Sequence, residues 1–225
     1  QMTARRENDG WVINGTKSMS FAMHADATVI FALTEEGRRG RGISAFLVEL
    51  DRDGLTKTAT DDMGTVSVGR GFVEFTDVWI PEENLLGEEG QAFTQVMQGF
   101  DFSRALIGLQ VIGAAQVTLD ETWEYTSQRQ AFDQPISKFQ GVSFPLAEAD
   151  TMLTAARVLC QKTLWLKDNN QPHTKEAAMC KWWAPKVAYD VINQCLLSHG
   201  QFGYLRDYPI EQRMRDVLGL QIGDA

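Results

Sequence analysis

Arg129 is placed where a positively charged side chain could bind a phosphorylated ligand. It follows the predicted end of a long helix and comes three residues before Phe132. A guanidinium at a helix end can hold a pyrophosphate through paired hydrogen bonds, which the ammonium group of lysine cannot form. A solvated arginine at a helix end is the other interpretation, and the local spacing leaves both open.

Asp101 and Arg104 form a second pair of polar side chains with an informative spacing. They are three residues apart in a predicted helix and therefore lie on one face of it. The spacing alone predicts a local ion pair, which contributes about a few tenths of a kcal/mol.

The histidines and cysteines have no spacing that predicts a metal site or a nucleophilic triad. The histidines lack ligand spacing, and the sequence contains no Cys-x-x-Cys pair. Ser198 and His199 are adjacent, so on a helix their side chains diverge and cannot act as nucleophile and base. The cysteines fall within apolar helical patterns, which predicts three buried free thiols: Cys160, Cys180 and Cys195.

The composition is that of an acidic globular protein. The chain has 225 residues, 44% of them hydrophobic, and a formal net charge of −9. That charge argues against nucleic acid or an anionic membrane surface as the main partner. We expect no apolar run to reach the length of a membrane span, and residues 1–20 show no secretory pattern, so we expect a cytoplasmic protein.

The first part of the chain is predicted to be a β domain. Short segments rich in β-branched and aromatic residues follow one another, at Ala27–Thr34, Ile43–Leu50, Leu55–Thr60 and Val66–Ile80. Near the start, the apolar run at 11–13 leads into Asn14-Gly15, a pair typical of a tight turn between strands. This spacing indicates an antiparallel sandwich or barrel over residues 1–88.

The second part of the chain, after Pro81 and a turn-rich segment, has the hydrophobic period of helices. Four helices are predicted: from Gln91 to near Gln128, from about Phe139 to Lys167, from about Lys175 to Leu197, and a shorter one from Pro209. Short connections favour a four-helix-type bundle over residues 89–225. The predicted fold class is therefore α+β with two domains. We expect the β domain to lack its N-terminal edge and the bundle to lack its C-terminal end.

Five segments, taken in order, resemble successive parts of the acyl-CoA dehydrogenases. Each alone is a weak signal, but their common order makes the resemblance specific. They are Gly10–Lys17, Phe75–Gly87, Phe100–Arg104, Arg129–Gln140 and Tyr208–Asp216. The resemblance implies the middle β domain of that family followed by its C-terminal helical domain. Within the family, the chain most resembles the alicyclic branch, the cyclohexane- and cyclohexene-carboxyl-CoA dehydrogenases.

The resemblance implies that FAD is the cofactor. By it, Arg129 and Phe132 reach the FAD of a neighbouring subunit, and Gln140 lies near the adenosine end. A homotetramer and an electron-transfer flavoprotein, or a similar electron acceptor, are implied in the same way.

Two further segments resemble flavin contacts of the family, each with a departure. The Gly-rich turn that begins Gly200-Gln201 resembles the turn whose backbone approaches the FAD pyrophosphate, and glycine permits such an approach. Leu197 stands where the family usually carries Gln. Met19-Ser20-Phe21 stands where the family often has Trp-Ile-Thr against the flavin.

The resemblance also assigns residues to the acyl-CoA thioester. Asp101 and Arg104 would contact the CoA arm, and Phe100 would line the substrate channel. This role and the local ion pair remain two interpretations of the same spacing.

Asp224 occupies the position of the catalytic Glu of the family, in the segment after Arg215-Asp216. A carboxylate with a raised pKa in an apolar site is a competent base for the weakly acidic α-proton of a thioester. Here the carboxylate is one methylene shorter, and Gly223 replaces the Tyr that precedes the Glu. Ser103, where some relatives carry their base, cannot replace it. These departures predict a bulkier acyl group.

The resemblance therefore implies FAD-dependent α,β-dehydrogenation of an acyl-CoA thioester, with cyclohexanecarboxyl-CoA as the expected kind of substrate. One alternative is 1,4-dehydrogenation of cyclohex-1-ene-1-carboxyl-CoA. The other is a non-catalytic acyl-CoA-binding module, which the altered flavin positions suggest.

Overall fold

The computed structural model describes residues 1–35 and 42–223 of the chain. The chain forms two compact units, Gln1–Gln98 and Gly99–Ala225. The division falls inside the first long helix, whereas the boundary proposed from the sequence, at residue 88, marks the change from strands to helix. Asp224 lies outside the described residues.

Unit 1, Gln1–Gln98, contains one seven-stranded sheet. Its strands are β1 (Thr3–Glu7), β2 (Gly10–Met19), β3 (Ala27–Leu33), β4 (Ile43–Glu49), β5 (Leu55–Ala59), β6 (Gly71–Pro81) and β7 (Leu85–Leu86). Their order across the sheet is β5-β6-β2-β1-β3-β4-β7. Neighbouring strands are antiparallel except β1 and β3, which meet in parallel at Thr3 and Leu33.

The sheet is therefore mixed, whereas the sequence predicted antiparallel strands alone. The chain reverses direction after β1 and again after β2, and β3 then lies on the far side of β1 from β2. Two reversals leave β3 running in the direction of β1, which produces the parallel pair. The hydrophobic pattern indicates which residues form strands but carries no information on which strands become neighbours.

The predicted tight turn at Asn14-Gly15 is wrong, because both residues continue strand β2. The register of β2 against β6 shifts between Ile13 and Gly15, which marks a β-bulge. The Asn14 side chain donates from Nδ2 to Oδ1 of Asp77 at 3.0 Å and accepts the Asp77 backbone N–H at 2.9 Å. Asp77 has a left-handed φ of 48°. The Asn14 side chain thus provides an acceptor for the Asp77 backbone N–H beside the bulge.

Unit 2, from Gly99 on, is a helical bundle. Four helices were predicted and the structure confirms them: α1 (Ala92–Gln128), α2 (Gln140–Asp168), α3 (Thr174–His199) and α4 (Ile210–Gly219). A small hairpin, β8 (Gln130–Ala131) and β9 (Gln134–Pro135), joins α1 to α2. The apolar core of the bundle is formed by residues of all four helices, among them Ile112, Leu153, Ile192 and Val217.

Helix α1 is long and apolar enough, by length and composition alone, to cross a membrane. It contains an 18-residue window with a mean hydropathy of 1.3. The expectation that no apolar run reaches the length of a membrane span is therefore wrong for α1. Within unit 2, however, residues of α1 such as Ala105, Ile112 and Leu119 are buried in the core of the bundle. A core helix passes the same test, so this feature is weak evidence for a membrane span.

Gly108 lies on α1 where there is no room for a side chain beside Cys160 and Ala184. A Cβ atom at Gly108 would lie 2.6 Å from Sγ of Cys160 and 3.2 Å from Cβ of Ala184. Gly113, five residues further along α1, is exposed, and a Cβ there would meet no atom within 4 Å. The two glycines therefore offer a matched comparison on one helix.

We expect Gly108→Ala to lower the free energy of unfolding by about 1–3 kcal/mol, because the added methyl overpacks the contact. Gly113→Ala should raise it by about 0.5–1 kcal/mol, because alanine loses less conformational freedom in a helix than glycine. Denaturant unfolding of both variants measures the two effects. In a Cys160→Ala background the cost of Gly108→Ala should shrink; an unchanged cost there would contradict the assigned contact.

Candidate active site

The hairpin after α1 presents Arg129 and Phe132. Arg129 donates its backbone N–H to the carbonyl of Tyr125 at 2.8 Å, and its own carbonyl accepts the N–H of Ile136 at 2.9 Å. These bonds fix the hairpin to the end of the helix. The Arg129 side chain is exposed, which leaves its guanidinium accessible to a ligand.

The two turn residues of this hairpin have an unusual backbone for their types. Phe132 and Asp133 have φ angles of 52° and 63°. Two consecutive left-handed residues are typical of the tightest hairpin turns, which favour Asn-Gly, and a side chain as large as Phe is strained there. The Phe132 ring is 89% exposed, with an edge contact to Phe139 at 6.1 Å. Strained backbone that displays an exposed aromatic ring is typical of ligand-contact sites.

Gln140 is the first residue of α2 and is exposed. The preceding residue, Phe139, makes no side-chain capping hydrogen bond. A helix N-terminus carries backbone N–H groups without partners in the helix and a partial positive charge. Gln140 therefore lies where a polar or anionic group of a ligand could be held.

The Gly-rich turn after α3 leaves space at one glycine and none at the other. Gly200 has φ 59° and ψ −131°, donates its N–H to the carbonyl of Leu197, and would place a Cβ more than 4 Å from any atom. At Gly203, by contrast, a Cβ would lie 2.3 Å from the carbonyl oxygen of Leu196. Gly203 thus closes the turn against α3, while the backbone of Gly200 is open to a close approach. The side chains of Leu197, which is 61% exposed, and Gln201 face solvent beside it.

His199 connects these two segments, and the sequence analysis did not identify it. Its ring is 6% exposed and stacks on Tyr125 with a centroid distance of 4.2 Å. Its Nδ1 lies 2.9 Å from the carbonyl oxygen of Cys195. Tyr125 holds the Arg129 backbone and His199 precedes Gly200, so the stack brings the hairpin and the Gly-rich turn to the same end of the bundle. Neither residue belongs to a sequence motif; only their contact reveals the role.

Asp101 and Arg104 form the ion pair that their spacing predicted. Arg104 Nη1 lies 3.7 Å from Asp101 Oδ1, and the two side chains are only 15% and 14% exposed. The Arg104 guanidinium also lies 5.7 Å from the ring centroid of Phe100. On the other side, Thr174 at the start of α3 donates its hydroxyl to Asp101 Oδ2 at 2.5 Å. The carboxylate therefore links α1 to the N-terminus of α3.

The Oδ1 atom of Asp101 can still accept a hydrogen bond. Among the described residues, Oδ1 is buried and accepts no hydrogen bond. A buried acceptor without a donor is costly. An N–H group of a ligand at this position would satisfy it.

Met19, Ser20 and Phe21 lie in unit 1, where β2 ends. Met19 is the last residue of β2, Ser20 is exposed, and Phe21 is 55% exposed with a left-handed φ of 60°. The Phe21 N–H donates to the carbonyl of Val68 at 3.1 Å, which fixes the turn. As at Phe132, a strained backbone presents an aromatic ring to solvent.

The three cysteines are buried and free, as the sequence predicted. Burial raises the pKa of the Cys195 thiol to about 11 from an ordinary value of 9.0. The pKa of Cys160 is raised too, first by its hydrogen bond with Cys180 and then by burial. Cys160 and Cys195 are therefore neutral core groups rather than nucleophiles.

The raised pKa of Cys195 predicts a loss of stability in alkali. The folded protein favours the neutral thiol, so the stabilisation is complete below pH 9 and is lost as the pH rises to about 11. Two pKa units correspond to about 3 kcal/mol. Cys195→Ala removes this term, so the difference in unfolding free energy between wild type and variant should shrink between pH 8 and pH 11. A difference that stays constant over this range would contradict the buried, neutral thiol.

Comparison with known proteins identifies the family. Residues 1–78 match the model of the acyl-CoA dehydrogenase middle domain, and residues 90–224 match that of the acyl-CoA dehydrogenase C-terminal domain. The chain therefore belongs to the acyl-CoA dehydrogenase family, with the β domain and helical domain in the order expected.

Individual relatives agree with this assignment. The chain is 41% identical to the mitochondrial short-chain specific acyl-CoA dehydrogenase of Rattus norvegicus over 217 residues, which cover 96% of this chain and 53% of that protein. It superimposes on butyryl-CoA dehydrogenase from Megasphaera elsdenii with a TM-score of 0.95 and 34% identity, covering 100% of this chain and 60% of that one. A second solved structure comes from a study of the electron transferring flavoprotein of Acidaminococcus fermentans. The chain superimposes on it with a TM-score of 0.96 and 34% identity, covering 100% of this chain and 60% of that one.

The chain spans about half the length of the curated relative that it matches, at 53%. The Rattus norvegicus and Megasphaera elsdenii relatives are short-chain specific and butyryl-CoA dehydrogenases. They support the family assignment but do not single out the alicyclic branch that the sequence analysis favoured.

Proposed function

We propose that this chain supplies the flavin- and thioester-binding part of an FAD-dependent acyl-CoA dehydrogenase. The observation that carries the proposal is the Tyr125–His199 stack, which brings the Arg129 hairpin and the open Gly200 turn to one end of the bundle. An exposed guanidinium and an accessible glycine backbone are the groups that bind a pyrophosphate. Their combination in a chain of this family fits a dinucleotide such as FAD.

The residues proposed to hold FAD are those with exposed or open positions. Arg129 would bind the pyrophosphate, the Phe132 ring would pack on an apolar part of the cofactor, and Gln140 would meet the adenosine end. The Gly200-Gln201 backbone and the side chain of Leu197 are proposed to contact FAD beside this hairpin. In unit 1, the segment Met19-Ser20-Phe21 is proposed as a separate flavin contact. We propose that Arg129 and Phe132 serve the FAD of a neighbouring subunit in a homotetramer.

The Asp101–Arg104 pair is proposed to bind the CoA arm of the substrate. Each side chain is largely buried and held by the other, so the pair is preorganised and loses little freedom when a ligand binds. The available oxygen of Asp101 suits an amide N–H of the arm. Phe100, under the Arg104 guanidinium, would contribute the apolar wall of the channel.

Asp224 is proposed as the base that removes the α-proton. FAD, when bound, supplies the acceptor for the β-hydrogen, which leaves as hydride. The protein must align the base with the α-carbon and exclude water, because a carboxylate is a stronger base in an apolar site. The product is the α,β-unsaturated acyl-CoA.

We infer that the acyl group of the substrate is either a short straight chain or a single ring. The relatives favour a short straight chain such as butyryl. The shortened base Asp224, with Gly223 in place of an aromatic residue, favours instead a bulkier cyclic group such as cyclohexanecarboxyl. An electron-transfer flavoprotein is the proposed electron acceptor. The cytoplasm is the proposed location of the protein.

The proposal is tested by adding acyl-CoA thioesters to the purified protein and following the flavin absorbance. We expect bound FAD, and bleaching that is faster with butyryl-CoA than with cyclohexanecarboxyl-CoA. Faster bleaching with cyclohexanecarboxyl-CoA would support the alicyclic substrate. Bleaching by cyclohex-1-ene-1-carboxyl-CoA alone would support the 1,4-dehydrogenation. A flavin-free protein that still binds acyl-CoA, even after incubation with FAD, would instead indicate a non-catalytic binding module.

A further inference from the structure

Lys181 is a buried lysine that the proposed chemistry does not use. It lies in the middle of α3 and is only 8% exposed. Its Nζ donates a hydrogen bond to the backbone carbonyl of Gln221 at 3.0 Å. A lysine is rarely buried unless its ammonium group has a partner, because removing a charge from water is costly. The position of this ammonium group therefore needs a structural reason.

The partner of Lys181 lies in the turn that ends α4. In this turn the carbonyls of Val217, Leu218 and Gly219 accept N–H groups of residues 220–223. The carbonyl of Gln221 accepts its hydrogen bond from α3 instead. The C-terminal end of a helix carries a partial negative charge, so an ammonium group is favourable there. Lys181 thus satisfies a carbonyl and complements the helix end.

Over residues 1–35 and 42–223, the turn has few other contacts with the bundle. Gln221, Ile222 and Gly223 are exposed, and the Ile222 side chain is 76% exposed. Its backbone hydrogen bonds are local, and Leu220 is its part-buried apolar contact with the core. Within the described residues, the Lys181 bond is the long-range hydrogen bond that holds this turn. Without it the turn would lose this hydrogen bond to α3 and keep the contact of Leu220 with the core.

We propose that Lys181 is a positioning residue for the base: it fixes the turn 220–223 and so the placement of Asp224, the next residue of the chain. The inference rests on the proposed function, since it matters to catalysis only if Asp224 removes the α-proton. Base placement is a steep determinant of rate, because a displacement of about 1 Å costs about 100-fold.

The first measurement does not depend on activity. Amide hydrogen exchange of residues 220–223 is compared, in the flavin-free protein, between wild type, Lys181→Met and Lys181→Arg. Met keeps the length and removes the donor, whereas Arg keeps a charged donor. We expect about 10-fold faster exchange of this turn in the Met variant and partial recovery in the Arg variant. Lys186→Met, which alters an exposed lysine of the same helix, is the matched control.

The second measurement is the rate of acyl-CoA-dependent flavin bleaching per bound flavin. We expect Lys181→Met to lower kcat by about 10- to 100-fold with KM within about twofold, because the base moves while the thioester site stays intact. Lys181→Arg should recover part of the rate, and Lys186→Met should match wild type. If Lys181→Met does not fold, Lys181→Gln, which keeps a shorter neutral donor, takes its place.

Two results would overturn the inference. Unchanged exchange in the turn would show that Lys181 does not anchor it, and an unchanged rate per flavin would show that the anchor does not position the base. A purely structural role would lower the midpoint of thermal unfolding and the amount of folded protein but not the rate per flavin. If the wild type bears no flavin, the proposed function fails first, and the exchange result still decides whether the anchor exists.

Discussion

Replacing Asp224 with Asn should lower the rate of acyl-CoA-dependent flavin bleaching by about 1,000-fold while flavin stays bound. The amide has nearly the shape of the carboxylate but cannot accept the α-proton, and a positioned base contributes about 10²–10⁴ to the rate. Binding of the thioester should change little, because no proposed binding residue is altered. Stopped-flow absorbance under single-turnover conditions isolates this step.

Asp224→Glu is the informative control for that experiment. It keeps the carboxylate and restores the side-chain length usual in the family. If the substrate is a short straight chain, Asp224→Glu should leave the bleaching rate nearly unchanged. If the shorter Asp makes room for a ring, Asp224→Glu should lower the rate with the cyclic thioester in particular. If Asp224→Asn bleaches the flavin as fast as the wild type does, Asp224 is not the base.

Replacing Arg129 with Ala should weaken FAD binding by about 10- to 100-fold. A hydrogen bond to a charged group contributes about 1.5–3 kcal/mol, and the Arg129 side chain is exposed, so no internal contact needs to break when it binds. Arg129→Lys should recover little, because an ammonium group lacks the paired donors that match a pyrophosphate. Titration of the flavin-free protein with FAD, followed by fluorescence, gives the dissociation constants.

Lys186→Ala removes one positive charge from an exposed part of α3 and serves as the control for net charge. It should bind FAD like the wild type. If Arg129→Ala binds FAD with unchanged affinity, Arg129 is a solvated arginine at a helix end and does not bind the cofactor. Full recovery by Lys would show that a charge alone, rather than paired donors, holds the cofactor.

Much of the helical domain could be predicted because its signals are local. The 3.6-residue hydrophobic period gave four helices, and the spacing of Asp101 and Arg104 gave the ion pair that the structure contains. These features depend on residues a few positions apart. The roles of the named site residues toward FAD and thioester remain proposals.

The features that were missed depend on contacts between distant parts of the chain. Asn14-Gly15 has the local chemistry of a turn, but hydrogen bonds to Asp77 retain it in a strand as a bulge. The alternation of β6 slips by one residue at the same place, so Phe75 and Val78 are both buried. His199 looked like an isolated histidine until its stack with Tyr125 was seen. Neither the Asn14–Asp77 pairing nor the Tyr125–His199 stack leaves a periodic trace in the sequence.

The hairpin turn at Phe132-Asp133 has a consequence for attempts to make this protein more robust. Asn-Gly would adopt the same left-handed backbone with far less strain. Selection for heat resistance alone would therefore favour such a replacement, and would remove the one aromatic ring of the hairpin that faces outward. At this turn the sequence therefore keeps an exposed aromatic side chain at a cost in stability.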